Sequence, residues 1–201
     1  MYLPNACARR LWILPFALAV AAIPVVMAQT PPRLPARNDH YQRGVRAWES
    51  GDLKAARSAF AAAVRANARD AEAQNAFGQV LLEQGELDSA IAHFRTVTQL
   101  RPELAIAHVY LGQALSRKGV LPDAEQELRA AVRLAPDQPQ PHEALARILS
   151  AEQKTEATVA EMRKAVDLAS NQPELHDELG TLLAQTNDLS AAKAEIQTAL
   201  Q

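Results

Sequence analysis

The sequence predicts an all-α protein, a solenoid of about five helix hairpins, and three observations lead to that class. The seven glycines occupy only two places in a 34-residue period. Apolar and small residues return at the same period, with the spacing of two amphipathic helices inside each unit. Hydrophobic residues make up 48% of the chain but aromatic residues only 4%. Alanine and leucine must therefore build most of the core, which favours closely packed helices over a β-sandwich.

The period divides the chain into the units 37–70, 71–104, 105–138, 139–172 and an incomplete unit, 173–201. Counted within a unit, glycine stands at position 8 (Gly44, Gly78, Gly112, Gly180) and position 15 (Gly51, Gly85, Gly119), and alanine at position 20 (Ala56, Ala90, Ala124, Ala192). Glycine inside a helix costs about 1 kcal/mol relative to alanine. We therefore expect position 8 to face the alanine at position 20 across a close helix contact, and position 15 to form the turn.

Signals for helix ends agree with this division. Asp52 and Asp188 come directly after the predicted turns and suit the N-cap of a second helix. Pro102 and Pro136 should end the second helix before the next unit begins. Each unit therefore reads as helix, tight turn, helix and stop.

Unit 139–172 departs from the pattern. Ala146 replaces the glycine at position 8, Thr158 replaces the alanine at position 20, and Gln153 replaces the turn glycine. Because the first two changes add bulk on both sides of the helix contact, we expect the two helices to lie further apart there. The fourth hairpin should be the least regular.

The unit length and the small-residue positions resemble the tetratricopeptide repeat over nearly all of the chain after residue 37. The resemblance implies a right-handed α-solenoid with a concave groove that holds an extended or helical peptide. In that family, positions 2, 5, 9, 12 and 13 of the first helices line the groove. The residues so predicted to bind a partner are Tyr41, Val45, Trp48, Asn75, Gln79, Leu82, Val109, Gln113, Arg117, Glu143, Arg147 and Asp177.

Two questions about the groove stay open at this point. Tyr41 and Trp48 can anchor a bound segment, or they can pack under the linker or against the next unit. Acidic residues outnumber basic ones six to two at the groove positions. Such a surplus is typical of a solvated face as well as of a selective one.

Residues 1–28 read as an export signal. Arg9 and Arg10 precede an apolar stretch, and small residues precede a predicted cut after Ala28. Export would place the mature chain in the periplasm of a bacterium; the alternative is an uncleaved segment that anchors the chain to the inner membrane. Cys7 is the only cysteine and lies within the signal, so the mature chain would have no disulfide and no thiolate ligand.

Residues 29–37 are proline-rich and predict an extended linker before the repeat domain at 38–201. After cleavage, no integral membrane span is expected. Repeat arrays of this kind usually end on a polar capping helix, whereas this sequence stops near the end of a second helix. A partner, self-association through the carboxyl-terminal repeat, or further sequence would cover that face.

Nothing in the sequence predicts catalysis or a cofactor, since it lacks HExxH, a phosphate-binding glycine loop and a nucleophile elbow. Histidines recur at position 4 (His40, His108, His142, His176). We favour a space-filling role with one hydrogen bond for them over a pH switch or a metal site. The net charge of −2 argues against a nucleic-acid partner.

We therefore predict a non-enzymatic interaction scaffold or adaptor in the cell envelope, with a peptide or partner helix bound in its groove. The alternative is a structural array, self-associating or capped by a partner, with no specific groove ligand.

Overall fold

A computed structural model describes residues 39–200, which form ten α-helices and no strands. The helices are α1 Asp39–Glu49, α2 Leu53–Ala66, α3 Ala71–Glu83, α4 Leu87–Leu100, α5 Ala105–Arg117, α6 Leu121–Leu134, α7 Pro139–Ala151, α8 Thr155–Leu168, α9 Pro173–Gln185 and α10 Leu189–Ala199. The predicted all-α class is confirmed. The predicted signal at 1–28, the linker at 29–37 and Asn38 lie outside the described residues.

The ten helices pair in chain order into five hairpins, one for each predicted unit. Each second helix also packs on the first helix of the next hairpin, and the first helix α5 contacts both α3 and α7. Each hairpin thus contacts the hairpins before and after it in the sequence, which is the contact pattern of an α-solenoid. The first helices of the middle hairpins therefore lie side by side, and they carry the middle part of the predicted groove.

All five hairpins make the same turn. The residue at position 15 has a positive φ in each hairpin, and the following N–H donates to a carbonyl five residues earlier at 2.9–3.0 Å. This closing hydrogen bond is the Schellman arrangement, which satisfies the last carbonyls of the first helix. The turn residues are Gly51 (77°), Gly85 (78°), Gly119 (84°), Gln153 (60°) and Asn187 (64°). The predicted role of the three glycines is confirmed.

Both predicted caps form. The Asp52 side chain accepts a hydrogen bond from the Ala55 N–H at 2.9 Å, and Asp188 accepts one from Ala191 at 3.2 Å. The two prolines follow the ends of α4 and α6, as predicted.

The glycines at position 8 do lie against the second helix, but their main neighbour is position 24. A Cβ added to Gly78 would lie 2.7 Å from Phe94 Cε1. At Gly112 it would lie 2.6 Å from Leu128 Cγ and 3.2 Å from the Ala124 carbonyl oxygen. The expected close contact with the position-20 alanine is therefore present at Gly112 and Gly180 through the alanine carbonyl oxygen, but the side chain at position 24 is nearer. A large side chain at position 24 occupies the space, and position 20 contributes its backbone oxygen.

The fourth hairpin keeps a regular contact that its sequence did not predict. Ala146 has no exposed surface, and the Thr158 hydroxyl is buried and donates to the Lys154 carbonyl at 3.0 Å. Position 24 here is Met162, whose unbranched side chain accommodates a Cβ more readily than a phenylalanine ring does. Helices α7 and α8 pack as extensively as the other pairs, so the expected widening was wrong.

A polar connection, which we call the polar clip, joins position 4 of the first helix to position 23 of the second. In the third hairpin, His108 Nδ1 lies 2.7 Å from Glu127 Oε2, and its Nε2 lies 3.0 Å from the Pro102 carbonyl oxygen. The clip recurs with closely similar distances in the last two hairpins, as His142 with Glu161 and His176 with Glu195.

The second hairpin contains the same clip with the residue types exchanged. Gln74 stands at position 4 and donates from Nε2 to the Ala68 carbonyl at 2.8 Å, while its Oε1 lies 2.5 Å from Nδ1 of His93 at position 23. Burial lowers the pKa of His93, so the neutral ring is favoured there. The clips give three of the position-4 histidines a packing and hydrogen-bonding role, which extends the role inferred from the sequence to two hydrogen bonds each.

Candidate peptide-binding groove

Helix α1 carries the apolar end of the predicted groove. Tyr41, Val45 and Trp48 follow one another at helical spacing and are half-buried. The buried ring of Phe60 lies beneath them, with its centroid 5.7 Å from that of Tyr41 and 6.2 Å from that of Trp48. These side chains line an open cavity of about 420 Å³ whose other walls are Glu49 and Ala76. The aromatic pair is therefore packed on one side and accessible on the other.

The middle of the predicted groove is polar. Asn75, Gln79 and Gln113 are half-buried on α3 and α5. Asn75 Oδ1 is buried and has no hydrogen-bond partner among the described residues, which is uncommon for a buried polar atom. Arg117 is exposed and donates to the Leu82 carbonyl at 3.1 Å.

Two predicted groove residues are core residues. Leu82 is 7% exposed and Val109 is 0% exposed, and both belong to the apolar cluster that runs through the middle hairpins. Because neighbouring first helices contact each other, an apolar side chain at position 5 or 12 becomes buried between them. The helical spacing identified the face of the helix but not the depth of each side chain, and neither residue is available to a partner.

At the carboxyl-terminal end, the predicted groove residues are charged and partly paired. Arg147 contacts Glu143 on its own helix at 2.7 Å and Glu178 on α9 at 2.6 Å. The hydrogen bond to Glu178 is the main cause that raises the pKa of Arg147 above its ordinary value. Asp177 is exposed beside this pair.

A second cavity of about 320 Å³ opens between the fourth and fifth hairpins. Met162 and Thr158 of α8 line it together with Ala146 and Leu182. Helix α8 packs less extensively on α9 than the corresponding helices do elsewhere, and this difference leaves the gap. The sequence reasoning missed α8 because it considered only first helices; the small residue at 146 was the available signal.

Two kinds of feature are absent from residues 39–200. No helix in that part of the chain is long and apolar enough to cross a membrane. The same residues contain no group of three or more His, Cys, Asp or Glu side chains that could hold a metal ion.

With the geometry established, comparison with known proteins identifies the family. The family model described as tetratricopeptide repeat matches residues 41–105 and, in a second overlapping match, residues 75–139. The chain belongs to the tetratricopeptide-repeat family. Tetratricopeptide-repeat proteins generally mediate protein–protein interactions and are generally non-catalytic scaffolds.

Solved structures show the same tetratricopeptide-repeat fold at low sequence identity. MamA from Desulfovibrio magneticus RS-1 has a TM-score of 0.72 at 22% identity, over 82% of this chain and 93% of that chain. TTC0263, a thermophilic tetratricopeptide-repeat protein from Thermus thermophilus, has a TM-score of 0.69 at 23% identity, over 82% and 90%. PilF from Pseudomonas aeruginosa has a TM-score of 0.74 at 21% identity, over 82% and 75%. No curated protein sequence matches the chain.

Proposed function

We propose that this tetratricopeptide-repeat protein binds a protein or peptide along the surface of its first helices and acts as a non-enzymatic scaffold or adaptor. The observation that carries the proposal is the open aromatic cavity on α1. Tyr41 and Trp48 keep apolar surface accessible there while Phe60 holds their rings from below. Aromatic side chains already fixed by packing are good anchors, because little side-chain entropy remains to be lost on binding.

The polar residues that follow the cavity suit the backbone of a bound segment. Asn75, Gln79 and Gln113 lie half-buried on adjacent first helices, and amides both donate and accept hydrogen bonds. The unpartnered Asn75 Oδ1 is an acceptor for a partner N–H. An extended peptide could thus place an apolar side chain in the cavity and its backbone on this amide row.

Loss of the partner on substitution of the cavity residues tests the proposal. Variants Tyr41→Ala and Trp48→Ala should fail to capture a cross-linked partner from an envelope extract, whereas Leu134→Ala, an exposed apolar residue on α6, should capture it. Because both aromatic residues pack on Phe60, circular dichroism must show an unchanged helix content.

Two further variants keep the test decisive if the aromatic substitutions unfold the chain. Gln79→Arg and Gln113→Arg place charge on the amide row and leave the aromatic residues on Phe60 unchanged, and they should also lose the partner. Capture that is undiminished in all four folded variants would contradict groove binding.

We also propose that the protein acts in the cell envelope. The sequence of residues 1–28 is the only support for this location. Alkaline phosphatase fused to the carboxyl terminus should be active in a bacterial host, and the same fusion without residues 1–28 should be inactive. Equal activity of the two fusions, or none in either, would contradict export. The mass of the mature chain distinguishes a cut after Ala28 from an uncleaved anchor.

A second candidate function is a self-associating array, and one observation favours it. Leu189, Ile196 and Leu200, on and directly after α10, are 64%, 38% and 82% exposed, so the last hairpin presents apolar surface. Sedimentation of the wild type and of the double variant Leu189→Lys with Leu200→Lys tests this candidate. If the protein self-associates, the wild type forms oligomers and the double variant does not. A wild-type monomer at all concentrations removes this candidate.

A further inference from the structure

The aromatic cavity and the cavity beside Met162, which we call the carboxyl-terminal cavity, lie at the same place in the repeat, three hairpins apart. Each is lined by positions 12 and 24 of one hairpin and by position 6 of the next. Position 24 is Phe60 in the first cavity and Met162 in the second, and position 12 is Trp48 and Ser150, respectively. The fold therefore offers the same place twice, with different walls.

Between the second and third hairpins, side chains of the chain itself fill the corresponding place. Leu82 at position 12 is 7% exposed, and Tyr110 at position 6 stacks on the ring of Phe94, with 5.6 Å between the ring centroids. A bound segment can therefore insert side chains near the two ends of the array but not at this point between them.

The floor of the carboxyl-terminal cavity is apolar. Met162 is buried there and Leu182 is half-buried. The Thr158 hydroxyl already donates a hydrogen bond to its own helix. A side chain that enters must therefore be apolar over the part that reaches the floor, because a polar group there would lose its hydrogen bonds to water.

The rim of this cavity is acidic. Asp177 is exposed there and has no hydrogen-bond or ion-pair partner among residues 39–200. The guanidinium of Arg147 already contacts two carboxylates, those of Glu143 and Glu178. Asp177 thus adds a negative charge that the described residues do not match, and charge complementarity favours a cation beside it.

Lysine and arginine side chains combine the two properties that this cavity requires. Their methylene stems lie along apolar surface while the charged end stays at the edge. A carboxylate such as that of Asp177 accepts a charge-assisted hydrogen bond from that end. The aromatic cavity, where the rings of Tyr41, Trp48 and Phe60 form the walls, suits an apolar side chain instead.

The separation of the cavities sets the spacing of the two anchors. Packed helices lie about 8–10 Å apart, so three steps of the array cover about 24–30 Å. An extended chain advances about 3.3 Å per residue, which places the anchors about seven to nine residues apart. Extended backbone also leaves N–H and C=O groups for the amides of Asn75, Gln79 and Gln113, whereas a helix pairs its own.

We propose that one extended segment of a partner protein occupies both cavities. It places an apolar side chain in the aromatic cavity and a lysine or arginine side chain over Met162 and beside Asp177, about seven to nine residues away. The inference rests on the proposed groove function and adds which side chains the partner carries and how far apart they lie.

A random peptide library, displayed on phage and long enough to span both cavities, is selected on the full chain. We expect the selected sequences to carry an apolar residue and a lysine or arginine at the stated spacing, in one fixed order. Selected sequences that share an apolar residue but no basic one, or a basic one at no fixed spacing, would overturn the proposal.

Synthetic versions of a selected peptide, followed by fluorescence anisotropy, measure each anchor. Replacing its basic residue by norleucine keeps an apolar stem without the charge and should weaken binding about tenfold, the usual loss for one charge-assisted hydrogen bond. Lengthening the spacer with glycine residues should weaken binding at least as much. Binding that weakens as the chain itself becomes more concentrated would show that a second copy occupies the cavities, and would overturn the proposal.

Two substitutions in the chain locate the second anchor. Asp177→Asn should weaken the basic peptide about tenfold and leave the norleucine peptide unchanged. Asp167→Asn is the matched control, because Asp167 is exposed on α8 and lines neither cavity. Ser150→Trp places at position 12 the residue type of the first hairpin, so it should fill the cavity and weaken both peptides. Ser150 and Asp177 are exposed, and circular dichroism confirms that each variant folds.

The variant Trp48→Ala separates this inference from the groove function on which it rests. It should abolish binding of every selected peptide. If it does so while Asp177→Asn and Ser150→Trp bind as the wild type does, the groove function stands and the second anchor is refuted. If Trp48→Ala also binds as the wild type does, the groove function itself is refuted.

Discussion

The first three hairpins and the last two reach the same turn from different sequences. Gly51, Gly85 and Gly119 take the positive φ in the first three, whereas Gln153 and Asn187 take it in the last two with the same closing hydrogen bond. A positive φ costs an ordinary residue about 1–2 kcal/mol. The packing of the paired helices therefore imposes the turn, and glycine only lowers its cost.

The helix contact shows the same contrast. In the second hairpin Gly78 meets Phe94, whereas in the fourth Ala146 is matched by Met162. Position 24 also differs in depth: Phe94 is 0% exposed, but Ile196 in the last hairpin is 38% exposed. The first two hairpins place an aromatic ring against glycine, the fourth has the buried Met162 with Ala146, and the fifth has the partly exposed Ile196 against Gly180.

The largest expected difference lies in position 24. Phe94→Ala should lower the free energy of unfolding by about 3–5 kcal/mol, because it leaves a cavity in the core. Ile196→Ala should lower it by only about 1 kcal/mol, since part of that side chain already meets solvent. Urea unfolding followed by circular dichroism measures both, and equal losses would remove the distinction between the middle and the end of the solenoid.

Next in size is the effect of a methyl group at position 8. Gly78→Ala should destabilise the protein by about 1–3 kcal/mol through overpacking against Phe94, although alanine favours the helix by about 1 kcal/mol. The double variant Gly78→Ala with Phe94→Met has the same residue types at positions 8 and 24 as the fourth hairpin. Adding Gly78→Ala to Phe94→Met should therefore destabilise the protein much less than Gly78→Ala does in the wild type. If Gly78→Ala were stabilising by itself, the ring would not be what requires glycine there.

A smaller effect is expected at the turns. Gln153→Gly should raise the free energy of unfolding by about 0.5–1 kcal/mol, because it relieves the positive φ at the cost of greater chain entropy in the unfolded state. Asn187→Gly should raise it less, since asparagine tolerates this conformation better than glutamine. Thermal midpoints of both variants rank the two sites. A fall in the midpoint for Gln153→Gly would mean that its side chain contributes contacts that outweigh the strain.

The smallest expected effect depends on pH. The hydrogen bond to Glu195 raises the pKa of His176 above its unfolded value, so its contribution is complete below about pH 6.5 and is lost as the pH rises through the folded value. The difference in thermal midpoint between the wild type and His176→Gln should therefore shrink from pH 5 to pH 9. A difference that grows with pH would reverse the sign of the coupling.

Glu161 gives the opposite dependence at acidic pH. Burial favours its neutral form, but the hydrogen bonds from His142 and Lys164 outweigh burial and lower its pKa below 4.5. Its contribution is complete above that value and is lost as the pH falls through the folded pKa. Glu161→Gln should therefore reduce the loss of stability that the protein shows as the pH falls. If the stability of the variant fell as steeply at acidic pH as that of the wild type, the clip would contribute nothing there.

Much of the fold was predictable because it depends on local rules. Glycine and capping aspartate mark the same turns in the sequence and in the structure, as Gly51 with Asp52 shows. The polar clip could also have been predicted, because a histidine at position 4 is followed nineteen residues later by a glutamate in three units. That spacing joins two helices, and a reading of one helix at a time does not reveal it.

The candidate site was predicted less well, for a physical reason. Whether a groove position is open depends on how closely the next first helix approaches, and Val109 and Leu82 are buried by neighbours that their own helix does not specify. The cavity beside Met162 likewise depends on the separation of α8 and α9. Helical periodicity assigns a direction to a side chain but no distance to what lies opposite it.

The sequence by itself determined the number of hairpins, the order in which they stack and the places where the chain turns. Those features follow from backbone preferences and apolar periodicity, which act over a few residues. Only the tertiary structure decided that Gln153 and Asn187 adopt the conformation of glycine, that Phe94 rather than Ala90 opposes Gly78, and that a second cavity opens beside Met162. Each of these depends on atoms from two helices meeting at a particular distance, and the packing of the whole array sets that distance.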